Sequence, residues 1–468
     1  MGALKEQQRV AMARQMFGTD GIRGKANAGN MTPEVAFRLG AAVTYQARKR
    51  IAKSPRLVIG KDTRISGYMF EHALTAGCLA MGGRVLLTGP LPTPAVAHLT
   101  TSMRADAGIV ISASHNPYFD NGLKVFGPDG FKLPDDAEED LEALMSGPTL
   151  DLKRPTGNQI GRAERIESSW GRYVQFVKST FPSDLTLDGL KIVVDAAHGA
   201  AYKTAPHVFS ELGATVHAIG VHPNGRNINA ERGAVHPASC AKEVLRHHAH
   251  LGIALDGDAD RLVIVDDKGQ QVNGDAIMAL CATHMLRQKQ LHKSTVVATV
   301  MSSIGLENAM RRVKGKVMRV DVGDRYVVEA MRKHQYNFGG EQSGHLVFLD
   351  HATTGDGTLG ALQILAIVLR TGRPLSELVR ETFEEVPQVL LNVTLPQRAP
   401  LGTLKLTKTA IRDAESSLGK GGRVLVRWSG TEPKLRVMVE GPNRRTIEPL
   451  AKQIAKTAEA EVRKVLGK

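Results

Sequence analysis

Short runs of continuous apolar residues alternate along most of this chain with longer stretches in which apolar positions recur every three or four residues. The short runs at 57–59, 85–87, 107–111, 191–194, 215–219, 251–255, 295–300, 316–320 and 346–349 predict strands, with 107–111 and 251–255 buried. The longer periodic stretches predict helices opening at Thr32-Pro33-Glu34, from 67 to 82, from Thr93, over 168–180, 202–212, 237–250, 275–287 and 305–313, and after Gly323. Strand–helix alternation on this scale indicates layered, mostly parallel sheets.

Beyond residue 387 the pattern changes. Strands are predicted at 388–395, 423–426 and 435–439, with helices at 404–417 and 444–465, which reads as a small α+β unit. A stretch rich in Pro, Gly and polar residues at 147–161 reads as a linker. The fold class expected is therefore α/β: three similar mixed α/β domains plus a C-terminal α+β domain, at 16–160, 161–274, 275–386 and 387–468. Residues 1–15 read as an N-terminal extension.

Two of the predicted strands stop abruptly at loops bearing chemistry, and a third polar loop precedes the strand predicted at 346–349. The first runs into Ser112-Ala113-Ser114-His115-Asn116-Pro117, where Pro117 blocks continuation of a ladder. In open α/β sheets ligands sit beyond the carboxyl ends of strands, which makes Ser114 a candidate for presentation into a cleft. The second ends in Asp256-Gly257-Asp258-Ala259-Asp260-Arg261. Three carboxylates this close repel one another unless a cation lies between them, and an all-oxygen set suits a hard ion such as Mg²⁺. The alternative for that loop is an acidic turn with Arg261 as counter-ion. The third loop is Gly340-Glu341-Gln342-Ser343-Gly344-His345.

Two further stretches suit phosphate. Phe17 to Gly24 spaces glycines around Asp20 and Arg23, and Arg23 can either grip a phosphate or pair with an acid. Arg427-Trp428-Ser429-Gly430-Thr431-Glu432-Pro433-Lys434-Leu435-Arg436 offers two hydroxyls, an open backbone at Gly430 and flanking guanidinium groups, which fits a dianion. Lys124 follows the serine loop closely enough to return to the same cleft, although a lone lysine in a hairpin is more often solvated. The Gly355–Gly360 match to GxGxxG is read as a helix entry, because Asp356 would repel a pyrophosphate and no strand abuts it. His247, His248 and His250 lie near a helix end without a carboxylate or cysteine at metal spacing, and suit the negative end of the helix dipole.

Composition narrows the function. The chain has 468 residues, 42% of them hydrophobic and 23% charged, and a formal net charge of +14. That charge calls for a polyanionic partner or none; without a long basic block interleaved with aromatics, a phosphorylated small molecule fits better than nucleic acid. The three cysteines, Cys78, Cys240 and Cys281, are far apart in apolar helical patterns and read as buried thiols of a reducing compartment. No signal-peptide core is present at the start, Glu6 breaks a myristoylation pattern, and the most apolar segment, 361–369, is too short to span a bilayer. A cytoplasmic protein with no membrane partner is expected.

The four loops in this order resemble the α-D-phosphohexomutase superfamily over essentially the whole chain from Phe17. Phe17 to Gly24 and the tail Arg436-Val437-Met438-Val439-Glu440-Gly441 most resemble its branch acting on glucosamine phosphates. The resemblance implies four domains around a central cleft, the last able to rotate. It implies interconversion of glucosamine 6-phosphate and glucosamine 1-phosphate on the route to UDP-N-acetylglucosamine, through a phosphoserine at Ser114 and a bisphosphorylated sugar. Mg²⁺ would be held by Ser114, Asp256, Asp258 and Asp260. Glu341 and Ser343 would contact sugar hydroxyls, and Arg427, Ser429, Gly430, Thr431 and Arg436 the non-reacting phosphate. Arg23, Lys124, Arg261 and His345 would line the active site, with Lys124 or His345 assisting proton transfer and Arg261 contacting substrate phosphate. The substrate would be a small phosphosugar and the protein a monomer or homodimer. Mutases acting on mannose or glucose phosphates would use the same residues. A phosphatase with an Asp nucleophile is disfavoured by Asp260, where it needs Thr or Val.

Overall fold

The computed structural model describes residues 16–18, 20–51, 53–395, 397–428 and 434–465. Local chemistry starts many of its elements. In the helix Pro33–Arg50 the Thr32 hydroxyl accepts from the Val35 amide, Pro33 occupies the first turn, and Arg48, Lys49 and Arg50 face the negative end of the dipole.

Three α/β bodies share one sheet plan. In the first, Arg56–Lys61 lies between Arg84–Pro90 and Ala107–Ile111, parallel to both, and Asp120–Phe126 returns antiparallel beside Ala107–Ile111. In the second, Lys191–Asp195 lies between Thr215–Ile219 and Leu251–Leu255, with Leu262–Val265 antiparallel at the edge. The third repeats it with Thr295–Thr299, Lys316–Val320, Phe338–Gly340 and Leu346–Phe348. In each body the third strand ends in the polar loop that leads into the antiparallel fourth. The serine, aspartate and Glu341–His345 loops are thus topological equivalents, which places them all beyond strand carboxyl ends.

The first sheet is the largest, with seven strands. The hairpin Phe17–Gly18 and Gly21–Lys25 adds beside Asp120–Phe126, and Arg162–Arg165 adds parallel to Arg84–Pro90. That last strand lies beyond residue 160, where the sequence pattern drew the first boundary. All four of its residues are exposed and polar, so no hydrophobic periodicity announces it.

The three bodies share one continuous apolar core, running from Val58 and Phe126 through Ile192 and Ile253 to Met278, Leu346 and Leu365. The last body is separate in this respect. Its sheet, in the order Gln388–Thr394, Lys434–Glu440, Arg423–Trp428, packs against Lys405–Leu418 and Arg444–Val465 around its own core of Val389, Leu435, Val437, Ile447, Ile454 and Val462. Cys78, Cys240 and Cys281 are free and buried, and burial pushes the thiol pKa of Cys78 and of Cys281 up to about 12. Among the described residues no helix is long and apolar enough to cross a membrane. Residues 1–15 lie outside the described residues.

Candidate active site

Ser114 caps the strand Ala107–Ile111 with a left-handed backbone, φ 52°. It is buried, and its Oγ donates to Asp256 Oδ2 at 2.5 Å. The amide of Ser114 donates to Ser112 Oγ, which in turn donates to Asp62 Oδ2 at 2.5 Å. Asp62 is paired with Arg64, both fully buried. His115 Nδ1 stands 3.4 Å from Ser114 Oγ; burial, reinforced by Arg261 and Arg23, lowers its pKa to about 4.

The second body brings Asp256, Asp258 and Asp260 to the same point. One carboxylate oxygen from each lies within 4.8 Å of the others, and all three residues are buried. Burial, and then the charges of Asp260 and Asp258, raise the pKa of Asp256 well above the usual carboxylate value. Asp260 is held well below it despite burial, by Lys124 and His345. Asp258 Oδ2 accepts from Thr93 Oγ1 at 2.6 Å and from Lys124 Nζ at 2.8 Å, whereas Asp258 Oδ1 and Asp260 Oδ1 are buried without a hydrogen-bond partner. Clustered anionic oxygens with orphaned lone pairs fit a hard metal cation.

Lys124 is buried, not solvated. Its Nζ lies between Asp258, Asp260 and Asp20, the last two at 3.3 Å. Burial opposes its charge, but the three carboxylates outweigh burial and hold its pKa above the ordinary lysine value. Asp20 also pairs with Arg23 and, at 2.5 Å, with Lys132, which reaches Asp324 of the third body at the same distance. His345 Nε2 is 3.4 Å from Asp324 Oδ2, and its Nδ1 is 3.9 Å from Asp260 Oδ1. Burial would lower the His345 pKa, but Asp324 and Asp260 raise it above the usual histidine value. The imidazole is seated by Gly355: a Cβ there would fall 2.4 Å from Nε2, which explains the first glycine of the GxGxxG match.

Glu341 accepts from the Gly323 amide at 3.0 Å, and Ser343 Oγ lies 3.4 Å from its other oxygen. The Arg23 and Arg261 side chains, each about a quarter exposed, keep a buried Nε without a hydrogen-bond partner, although Arg261 Nε lies 4.0 Å from Asp260 Oδ1. In the last body Arg427 and Arg436 are register partners on neighbouring antiparallel strands, and the Nε of each is likewise unpartnered. Burial and then Arg436 lower the Arg427 pKa, while the charges of Asp321 and Glu341 act on it from the third body. Ser429, Gly430 and Thr431 lie outside the described residues.

Ser114, the three aspartates, Arg23, Lys124, Arg261 and His345 thus form one electrostatic network, and Glu341 connects it to Arg427. Sequence reasoning passed over Asp62, Arg64, Thr93, Lys132 and Asp324 as site residues. Asp62 and Arg64 carried a usable signal, since Lys61-Asp62-Thr63-Arg64 also follows a buried strand.

A buried serine against a carboxylate triad, with Arg23 and Arg261 beside it, Glu341 and His345 from the third body and Arg427 and Arg436 from the last, defines a phosphosugar mutase architecture. The chain belongs to the phosphoglucomutase/phosphomannomutase family: residues 14–150, 171–269 and 273–386 match its alpha/beta/alpha domains I, II and III, and 390–457 its C-terminal domain. Among its similar relatives within that family are phosphoglucosamine mutases. That of Sorangium cellulosum is 59% identical over 98% of this chain and 96% of its own length, and that of Myxococcus xanthus 58% identical over 95% and 96%. Among solved structures, a phosphoglucomutase/phosphomannomutase family protein of Burkholderia thailandensis superposes with a TM-score of 0.79 at 24% identity, covering 96% of this chain and 98% of that one. Aspergillus fumigatus N-acetylphosphoglucosamine mutase, in complex with GlcNAc-6P and magnesium, gives 0.69 at 17% identity over 97% and 98%. These two share the fold.

Proposed function

We propose that this chain interconverts glucosamine 6-phosphate and glucosamine 1-phosphate, supplying UDP-N-acetylglucosamine biosynthesis in the cytoplasm. The observation that carries the reading is the contact of Ser114 Oγ with Asp256 inside a ring of cationic side chains. Ser114 carries the phosphoryl group. The free hydroxyl oxygen of the sugar bonds to phosphorus, the P–Oγ bond breaks, and the bisphosphorylated sugar turns over before returning its other phosphate to Ser114.

Asp256, Asp258 and Asp260 are the residues to hold Mg²⁺, the ion named in the Aspergillus complex; bound there it would offset phosphate charge and polarise phosphorus for attack. Arg23 and Arg261 bring unpartnered N–H groups to the phosphate oxygens. Lys124 or His345 carries protons between sugar and serine oxygens. Glu341 and Ser343 orient sugar hydroxyls. Arg427, Ser429, Gly430, Thr431 and Arg436 bind the phosphate that is not reacting, and so allow either orientation of the sugar. The domain limits at 274/275 and 386/387 are retained for the functional units, and the first is moved beyond Arg165, because Arg162–Arg165 completes the first sheet.

The test is a mutase assay with Mg²⁺ and a catalytic amount of bisphosphorylated sugar, comparing glucosamine, mannose and glucose phosphates. A kcat/KM preference for glucosamine phosphate that Ser114→Ala abolishes is the expected result. Preference for another hexose phosphate would overturn the substrate, and turnover by the variant would overturn the role of Ser114.

A further inference from the structure

We infer that Asn229 of the second body is a positioning residue for phosphoryl transfer, pinning the Ser114 loop of the first body from outside; the inference rests on the serine role proposed above. Its side-chain amide donates to two carbonyls of that loop, Ser114 O at 2.9 Å and Asn116 O at 3.1 Å. Arg64, from the first body, donates through one nitrogen, Nη2, to the same two oxygens. Two side chains on different bodies therefore close on one pair of carbonyls flanking His115.

The clamp carries signs of being built for position. Asn229 is buried, and both amide hydrogens are committed to the loop while its Oδ1 lies buried without a partner. An orphaned acceptor is an expense a merely structural asparagine avoids. Asn229 itself has φ 60°, and Ala197 and His198, which it packs beside, have φ 54° and 51°. The Asn229 amide donates to Ala197 O at 2.8 Å, and His198 O accepts from Thr63 Oγ1 of the first body at 2.6 Å. Non-glycine residues in this conformation persist where surrounding structure over-determines them, and they cluster at functional sites.

The metal loop is fitted to the same point. A Cβ on Gly257 would stand 2.6 Å from Ser114 O and 2.8 Å from Asn229 Nδ2, so only glycine lets the aspartate loop close on the clamp. The carbonyl of Ser114 is thereby fixed while its Oγ meets Asp256 on the other side. The serine's left-handed backbone, with φ 52°, needs such outside support, because an L-residue pays a steric cost there. Withdrawing the Asn229 amide leaves Arg64 alone on the two carbonyls and lets the serine drift relative to the aspartates. Misplacement on the scale of 1 Å can cost about 100-fold in rate.

The experiment uses the full chain with Asn229→Gly, which removes the side chain and tolerates the left-handed backbone, and Asn229→Asp, which keeps size and backbone tolerance but loses the donors. Both are primed with bisphosphorylated sugar, and phospho-Ser114 is quantified by intact mass. We expect kcat and the single-turnover rate of phosphoryl transfer from phospho-Ser114 to fall together, about 10- to 100-fold, with KM within about twofold of the parent. Parental kcat in either folded variant overturns the inference. So does loss of kcat with unchanged single-turnover transfer, or a rise in KM that matches the loss in kcat/KM. If Asn229→Gly fails to fold, Asn229→Asp decides on the same criteria, and failure of both to fold overturns a positioning role in favour of a structural one. A parent chain that takes no phosphate on Ser114 defeats the proposed function instead, and is told apart by the priming step alone.

Discussion

Lys124 Nζ sits 2.8 Å from Asp258 Oδ2 and 3.3 Å from Asp260 Oδ2, so an ammonium from the first body already offsets part of the negative charge that the second body gathers. The same ammonium opposes a divalent cation bound to those carboxylates, since like charges a few ångströms apart in a partly shielded site repel by a few kcal/mol at most. Lys124→Met keeps the apolar stem and removes the charge. The expected outcome is a fall of about tenfold in the Mg²⁺ concentration that half-saturates thermal stabilisation, together with a drop in kcat of about 100-fold. A Mg²⁺ titration read by unfolding midpoint, beside the mutase assay, separates the two effects. Weaker Mg²⁺ binding in the variant would show that Lys124 organises the carboxylates and does not compete for them.

Arg427 and Arg436 face each other across two antiparallel strands. Like charges directly opposite in a ladder are destabilising, and burial together with Arg436 lowers the Arg427 pKa. A bound dianion reverses that repulsion. Millimolar inorganic phosphate should therefore raise the unfolding midpoint of the parent chain, and Arg436→Gln should lose much of that gain. In the mutase assay the same variant should raise KM about tenfold with kcat changed less than threefold, the pattern of an interaction made equally in ground and transition states. A variant that loses kcat at parental KM would place Arg436 on the reacting phosphate.

Asp356 gives a pH dependence of known sign. It caps the helix Gly357–Thr371, accepting from the Thr358 and Leu359 amides, and takes the hydroxyl of buried Tyr173 at 2.8 Å. Burial outweighs these hydrogen bonds and raises its pKa from 3.8 to about 6. The folded chain then binds this proton more tightly than the unfolded chain, so the carboxyl's contribution is greatest below pH 4 and declines as pH rises to about 6. A shift of this size corresponds to about 3 kcal/mol. Asp356→Asn retains a good capping side chain without the charge. Its unfolding midpoint relative to the parent should therefore rise between pH 4 and pH 6 and level off above. A constant difference across that range would show that the capping bonds neutralise the cost of burial.

Legibility in the sequence followed how local the cause was. Ser114 and the three aspartates announce themselves because a buried apolar run stops at them; the equivalent strand of the third body, Phe338–Gly340, is three residues long with two glycines and carries no such run, so its loop was legible only by its own residues. Helix starts such as Thr32-Pro33 and the basic last helix are likewise set by neighbours in the chain. Lys124 could not be read that way. The carboxylates that make it tolerable in the interior stand at positions 20, 258 and 260, two of them in another body. Lys132, Asp324 and Asn229 share that property, since each acts on a partner more than a hundred residues away. Arg162–Arg165 shows the opposite failure: its backbone adds to a sheet edge while its exposed side chains carry no pattern.

A last prediction concerns how the third body is held to the first. Arg325 opens the helix Asp324–His334 and makes two hydrogen bonds to Glu138, at 2.6 and 3.0 Å, with Asp135 as a further partner; both acids lie on the helix Asp135–Ser146. The Arg325 and Glu138 side chains are only 5% and 2% exposed, so the pair is desolvated. Breaking such a pair from one side leaves a buried charge short of compensation and costs about 3–5 kcal/mol, whereas replacing both partners by apolar groups is often near neutral. Arg325→Met should accordingly destabilise the chain by that amount, and adding Glu138→Leu should restore most of it. Because Asp324, next in the chain, holds Lys132 and His345, the single variant should also lower kcat, and the double variant should recover stability more fully than activity. Equal recovery of both would mean that packing between the helices, and not the ion pair's direction, sets the place of Asp324 in the cleft.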